Sequence, residues 1–174
     1  TDVITWKNPH VIGVSGVEGA AMAAWLYRHG VEAVLHDFSA EGDFEKNFRK
    51  AHNQSRKSEQ KALLNKIRRL GNLHYKKTYL NEIDKADGLF LPQAWYKYQF
   101  NKPIRKILDK GIPYETMTSL YLKLHPGLTI GVTGSQGKST VSSMTVDLLK
   151  CLIRPIASSK FSCKLVGNNR FCQQ

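Results

Sequence analysis

The chain has 174 residues, a hydrophobic content of 41% and a formal net charge of +12. This length suits one domain, or one domain and part of a second, and the composition excludes a globally disordered chain. No apolar run approaches the roughly 18 residues of a membrane-spanning helix, and no signal peptide opens the sequence, so we expect no membrane span. Cys151, Cys163 and Cys172 lack metal-ligand spacing, which favours a reducing cytoplasm over a disulfide framework.

Most of the excess positive charge lies in one segment. Between Lys46 and Lys77 there are eleven lysine or arginine residues and a single acid, Glu59. A basic segment of this kind can bind nucleic acid or an anionic membrane surface. It is more often the solvated helix face of a basic protein, and that is the interpretation we favour.

The first part of the chain predicts a βαβ unit. A compact β-branched run at 10–14 is followed by a helical pattern and then by a second apolar run at 31–35. The turn before the helix contains Gly13, Gly16 and Gly19, while Ser15 occupies the second glycine of the dinucleotide fingerprint G-x-G-x-x-G. Asp37 closes the second strand, where an acid either faces a nucleotide or caps the following segment.

The middle of the chain alternates helical and strand patterns. Residues 44–70 read as one or two charged helices with a narrow apolar stripe, and residues 73–79 as an exposed strand. A helical turn at 81–87, a buried strand at 88–91, helices at 102–110 and 118–124, and a strand beginning at 112 follow. Aromatic residues at 95–100 surround Lys97, and such a mixture either stacks bases or packs at a sheet edge.

Residues 128–150 combine a strand, a glycine turn and a helix. The apolar run Leu128–Thr133 predicts a buried parallel strand, and apolar residues at helical spacing begin at Val141. Between them stands Gly134-Ser135-Gln136-Gly137-Lys138-Ser139-Thr140. In a phosphate cradle the turn amides and the helix N-terminus face the anion, the lysine reaches the outer phosphates and the serine hydroxyl ligates Mg²⁺. A glycine turn that binds nothing is the alternative.

The motif T-G-S-x-G-K-S-T resembles that of the Mur ligase family and its folylpolyglutamate synthase relatives. The general P-loop pattern needs a glycine where Val132 stands. Within the family, the motif is most similar to that of members that add D-glutamate to UDP-N-acetylmuramoyl-alanine. The resemblance covers roughly residues 10–150, except for a basic helical insertion at about 44–72. The family's Ser-Pro-Gly after the later strand is Leu91-Pro92-Gln93 here, which weakens the transfer of that phosphate-binding role.

The resemblance implies an α/β protein with two domains. Residues 1–126 would form a Rossmann-like parallel-sheet domain that binds the UDP substrate. Residues 127–174 would contribute the first strand, P-loop and helix of a second, incomplete ATP-binding domain. The implied reaction is ATP-dependent amide-bond formation in cytoplasmic peptidoglycan precursor synthesis, through an acyl phosphate, with ATP and Mg²⁺ as cofactors and UDP-N-acetylmuramoyl-alanine and D-glutamate as substrates.

The resemblance also implies roles for individual residues. Lys138 would be the catalytic residue that steadies the β- and γ-phosphates, and Ser139 or Thr140 would hold the magnesium ion. The remaining implied contacts are the phosphate-wrapping Gly134, Ser135, Gln136 and Gly137, and the UDP-facing Gly13, Ser15, Gly16 and Asp37. The family's magnesium-binding acid, histidine and modified lysine do not occur in the sequence, so we expect this chain alone to be inactive.

Two alternatives remain at this point. The chain could be a nucleotide- or nucleic-acid-binding Rossmann-like module that uses the basic 46–77 segment and the aromatic cluster at 95–100. It could also derive from another Mur-type ligase that acts on a different precursor. Affinity that falls steeply with salt would favour the first, because phosphate contacts release counterions.

Overall fold

The computed structural model describes residues 5–125 and 127–153. The chain divides into two compact units, residues 1–125 and 126–174. The first unit contains a five-stranded sheet in the order β3-β2-β1-β4-β5, in which all neighbouring strands are parallel. Together with the helices that connect the strands, this sheet confirms the predicted α/β, Rossmann-like fold class.

The elements follow one another in chain order. The strands are β1 Pro9–Ile12, β2 Val34–His36, β3 Leu73–His74, β4 Gly88–Phe90 and β5 Tyr114–Glu115. The helices are α1 Val17–Arg28, α2 Glu41–Ala51, α3 Lys57–Arg69, α4 Lys102–Leu108, α5 Met117–Leu124 and α6 Lys138–Ile153. Short 3₁₀ turns lie at Ile83–Lys85, Trp95–Lys97 and Gln99–Asn101.

The sheet separates two hydrophobic clusters. Strand residues alternate between its faces, so Val11 belongs to the cluster that includes residues of α1, α2, α3 and α5, whereas Ile12 belongs to the cluster that includes residues of α4. The predicted apolar stripe of the charged segment is buried in the first cluster through Leu64, Ile67 and Leu70. The basic segment is therefore anchored on the sheet by one apolar helix face.

Two predicted strands are shorter in the structure than the apolar runs suggest. Strand β2 begins at Val34 rather than at Val31, because the Val31 amide donates to the Leu26 carbonyl at 3.1 Å and ends helix α1. The strand predicted at 73–79 pairs only over Leu73–His74, since a turn follows in which the Thr78 amide donates to the Tyr75 carbonyl at 2.8 Å. In both places the backbone amides donate hydrogen bonds within a turn, so residues that the apolar pattern assigned to a strand do not pair with the sheet.

The run Leu128–Thr133 differs from the prediction of a buried strand. Among residues 5–125 and 127–153 it pairs with no strand, and Leu128 and Ile130 are 91% and 55% exposed. A strand becomes buried and hydrogen-bonded only when neighbouring strands and a covering layer are present. The helix after the glycine turn is confirmed and begins at Lys138.

Two expectations from composition concern cysteines and membranes. Cys151 is exposed and free of a disulfide, while Cys163 and Cys172 lie outside the described residues. In the described part of the chain, no helix is both long and apolar enough to cross a membrane.

Candidate functional site

The glycine turn before α6 contains two glycines with positive φ angles. Gly134 and Gly137 adopt φ angles of +151° and +73°, which L side chains rarely adopt. The Lys138 ammonium folds back on this turn and donates to the Gly134 carbonyl at 2.5 Å and to the Ser135 carbonyl at 3.4 Å. The lysine therefore lies against the same turn whose amides would contact a phosphate.

The start of α6 suits an anion. The first amides of a helix have no carbonyl partner within it, and the helix dipole favours negative charge there. No acidic residue stands in the first turn of this 16-residue helix. The Lys138 ammonium is held by neutral carbonyls, which phosphate oxygens can replace. These residues fit a nucleotide phosphate.

The fit to Mg²⁺ rests on hydroxyl groups. Ser139 and Thr140 lie in the first turn of α6 and are exposed. No cluster of three or more histidine, cysteine, aspartate or glutamate side chains within 5–125 and 127–153 is able to hold a metal ion. A magnesium ion here would take hydroxyl, phosphate and water oxygens, which is the ligand set that Mg²⁺ accepts beside a nucleotide.

The turn between β1 and α1 brings the predicted glycines together. Gly13 has a φ of +72°, and its carbonyl accepts from the Gly16 amide at 3.0 Å. A Cβ on Gly19 would lie 2.3 Å from the Gly13 carbonyl oxygen, so the helix approaches the strand more closely than any side chain permits. This is the close helix–strand packing that the third glycine of a Rossmann turn provides.

Asp37 closes this turn from the neighbouring strand. Its side chain accepts from the Ser15 amide at 2.6 Å and from the Ser39 amide at 2.9 Å, and the residue is only 2% exposed. The structure therefore brings together Asp37 and Ser15. Both carboxylate oxygens accept from backbone amides, so Asp37 serves as a cap and holds the shape of the turn.

Sequence reasoning missed a second acid at this turn. Glu18, in the first turn of α1, accepts a hydrogen bond from the Gln93 amide at 2.6 Å. The bond links the N-terminus of α1 to the segment after β4. Since the strand order reverses between β1 and β4, this crevice is where α/β sheets bind ligands. A carboxylate thus lies beside the expected pyrophosphate position.

Three histidines cross the sheet on one face, and none of them was predicted from the sequence. His10 Nδ1 lies 2.9 Å from His36 Nε2, and the rings of His36 and His74 stack with centroids 5.2 Å apart. Burial and, secondarily, the neighbouring imidazoles lower the pKa of His36 to about 3 and that of His10 to about 4. We call His10, His36 and His74 the histidine ladder. In the sequence, His10 stands next to the buried Val11 and His36 next to the buried Leu35, and this alternation was the signal that could have revealed the ladder.

The basic segment forms the outer surface of α2 and α3. Arg49 and Arg68 both pair with Glu45, at 2.6 Å and 2.9 Å, and these hydrogen bonds lower the pKa of the Glu45 carboxyl. Most lysines and arginines of the segment are exposed, with Lys66 partly buried. The solvated-face interpretation describes this geometry, and the same surface leaves the cations available to an anionic partner.

Comparison with known proteins shows similarity to ligases that act on UDP-N-acetylmuramate derivatives. No family model matches the chain. A stretch of 50 residues is 38% identical to the UDP-N-acetylmuramoylalanine–D-glutamate ligase of Geobacillus kaustophilus (strain HTA426), and covers 29% of this chain and 11% of that enzyme. The predicted resemblance to the Mur ligase family is confirmed over that stretch.

Two solved structures also align with the chain. The UDP-N-acetylmuramate-alanine ligase of Thermotoga maritima gives a TM-score of 0.44 at 20% identity, over 84% of this chain and 30% of that one. The UDP-N-acetylmuramate:L-alanyl-gamma-D-glutamyl-meso-diaminopimelate ligase from Neisseria meningitides gives 0.40 at 23% identity, over 83% of this chain and 39% of that one. The chain thus spans well under half the length of either neighbour.

Proposed function

We propose that this chain carries two substrate sites of an ATP-dependent amide ligase of cytoplasmic peptidoglycan precursor synthesis. The reaction joins D-glutamate to UDP-N-acetylmuramoyl-alanine. The observation that carries the proposal is the sequence of residues 133–140 at the start of α6, with two glycines at positive φ and the Lys138 ammonium on the turn. The similarity to the Geobacillus kaustophilus ligase favours D-glutamate as the amino acid.

The turn before α6 is the proposed ATP site. ATP supplies the phosphoryl group that activates the substrate carboxylate for attack by the amino group. Lys138 exchanges its carbonyl partners for phosphate oxygens and offsets the charge on the group being transferred. Amides of residues 134–137 wrap the phosphates, and Ser139 or Thr140 contributes a hydroxyl to Mg²⁺.

The turn between β1 and α1 is the proposed site for the UDP group. It stands at the carboxyl end of β1, beside the point at which the strand order reverses. The first amides of α1 provide donors for the pyrophosphate, and Gly13 and Gly16 keep the backbone accessible. Asp37 contributes by holding the Ser15 amide and thereby the shape of the turn.

The ATP site is tested by Lys138→Ala, with Lys150→Ala on the same helix as the matched control. We expect roughly a 10- to 100-fold loss of Mg-ATP affinity in Lys138→Ala, since a hydrogen bond from a charged group contributes about 1.5–3 kcal/mol. Lys150 lies in the last turn of α6 and its loss leaves affinity unchanged. Isothermal titration calorimetry measures both. Equal affinities in the two variants would show that the turn does not bind ATP.

A further inference from the structure

Three aromatic rings of the first unit form a continuous stack. Phe38 and Phe100 lie face to face with centroids 3.8 Å apart and an interplanar angle of 4°. Tyr98 stacks on Phe100 with centroids 5.2 Å apart and is 52% exposed. We call Phe38, Phe100 and Tyr98 the aromatic track. Phe38 is 39% exposed, so the rings at both ends of the track are accessible to solvent.

Both ends of the aromatic track carry positive charge. At one end, the Lys76 ammonium lies over the Phe38 ring, 5.7 Å from its centroid, and Lys76 belongs to the basic 46–77 segment. At the other end is a pocket of about 240 Å³ whose lining includes Tyr98. The lining also includes two further aromatic residues and three cations, Trp95, Tyr96, Lys97, Lys102 and Arg105, and none of the described lining residues is acidic.

Buried hydrogen bonds hold the aromatic track in place. Asn101, which is 3% exposed, accepts from the Tyr79 hydroxyl at 2.5 Å and donates to the Trp95 carbonyl at 2.9 Å. The Tyr79 ring in turn packs edge-on against Phe38 and Phe100, at 5.4 Å and 5.8 Å between centroids. The track is therefore ordered before any ligand arrives, which reduces the entropy lost on binding.

We propose that the aromatic track and its two cationic ends bind single-stranded nucleic acid. Phe38 and Phe100 are stacked on each other, so a base extends the stack at the exposed ring of Tyr98. Such stacking is independent of base sequence, and lysine and arginine side chains follow the phosphates. A duplex keeps its bases stacked on one another and cannot offer their faces to the track. The pocket is smaller than the roughly 300–1,000 Å³ typical of sites that enclose a drug-sized ligand, so it suits one unit of a longer strand. This function goes beyond the proposed ligase, whose substrates are not nucleic acids.

The test is fluorescence anisotropy of the full chain with a labelled 12-nucleotide oligouridylate, its duplex with oligoadenylate, and UMP as competitor. We expect the single strand to bind more tightly than the duplex, with affinity falling as salt is raised. Tyr98→Ala weakens single-strand binding roughly 5- to 150-fold, whereas Tyr98→Phe keeps the ring and binds like wild type. The double variant Lys102→Ala/Arg105→Ala makes log affinity fall less steeply with log salt concentration, by about 1.4 in slope, because each lost contact with a single-strand phosphate removes about 0.7.

Tyr114→Ala provides the matched control, because Tyr114 is 51% exposed on β5 and is not part of the aromatic track. Circular dichroism establishes that each variant is folded. Equal losses in Tyr98→Ala and Tyr114→Ala, equal affinity for single strand and duplex, or an absence of binding would each overturn the proposal. Full displacement of the oligonucleotide by micromolar UMP would also overturn it, because the site would then be specific for a mononucleotide rather than for a strand.

Discussion

At the scale of single residues, two acids at the first glycine turn have different roles. Asp37 is buried and accepts from two backbone amides, so its charge is compensated locally. Glu18 is partly exposed and accepts from the Gln93 amide, so its charge lies beside the proposed pyrophosphate position. Repulsion between this carboxylate and a diphosphate bound at the proposed position would oppose binding, so Glu18 would limit the affinity of the proposed site.

Glu18→Gln is expected to tighten the binding of UDP-N-acetylmuramoyl-alanine about fivefold. Removing one like charge at about 4 Å relieves roughly 1 kcal/mol in water, and the glutamine oxygen still accepts from the Gln93 amide. Calorimetry measures the affinity, with Glu32→Gln at an exposed acid outside the turn as the control. Unchanged or weaker binding in Glu18→Gln would place the diphosphate elsewhere.

The same titration distinguishes the proposed substrate from its alternative. UDP-N-acetylmuramate lacks the alanine that the proposed ligase extends. A protein that binds UDP-N-acetylmuramate more tightly than UDP-N-acetylmuramoyl-alanine would act on another precursor of the pathway.

At the scale of secondary-structure elements, two members of the histidine ladder couple β1 and β2 to pH. His10 and His36 are neutral in the fold, with pKa values lowered to about 4 and about 3 by burial. Neighbouring imidazoles also lower these values, while Glu82, Asp84 and Asp87 raise that of His10 and do not offset the burial. In the unfolded chain both groups titrate near 6.5, so the unfolded state binds more protons below that pH.

The free energy of unfolding is therefore expected to fall as the pH drops from 6.5 towards 4. Each of the two imidazoles contributes a slope of about 1.4 kcal/mol per pH unit in this window. His36→Gln removes one of these slopes while keeping a polar partner for His10, and His29→Gln serves as the control at an exposed histidine. Urea unfolding between pH 4 and 7 measures the slope. A slope in His36→Gln equal to that of wild type would contradict this account.

At the scale of the whole molecule, the second unit exposes the surfaces that a sheet would cover. Leu128 and Ile130 before the turn are exposed, and so are the apolar residues that follow one face of α6, namely Val141, Met144, Leu148 and Leu152. A phosphate loop acts on a substrate only when strand and helix hold it rigidly. In the described residues the loop is supported by its helix alone.

We accordingly expect the 174-residue polypeptide to form no product from ATP, UDP-N-acetylmuramoyl-alanine and D-glutamate. The proposed ATP loop lacks, in the described residues, the rigid support that would align the reacting groups. Chromatographic separation of the nucleotide-sugar products measures turnover, with the Geobacillus kaustophilus ligase as the positive control. ATP-dependent formation of the glutamyl product by the polypeptide would contradict the prediction.

The sequence by itself determined most of the elements of the first unit and their order. Alternation, helical spacing and glycine turns are local signals, so the parallel α/β class, the helical character of the charged segment and the helix after the second glycine turn follow from residues that are neighbours in the chain. The glycines predicted at the first turn, Gly13, Gly16 and Gly19, lie where α1 approaches β1 closely.

Only the tertiary structure decided what those elements meet. The histidine ladder depends on the register of three strands, the Glu18–Gln93 hydrogen bond joins residues 75 positions apart, and the aromatic track joins Phe38 to Phe100. The exposure of Leu128–Thr133 was equally beyond local reasoning, because an apolar run is buried only where another element covers it. Periodicity states which face of an element is apolar, whereas burial, pKa and binding surfaces arise from contacts between elements that are distant in sequence.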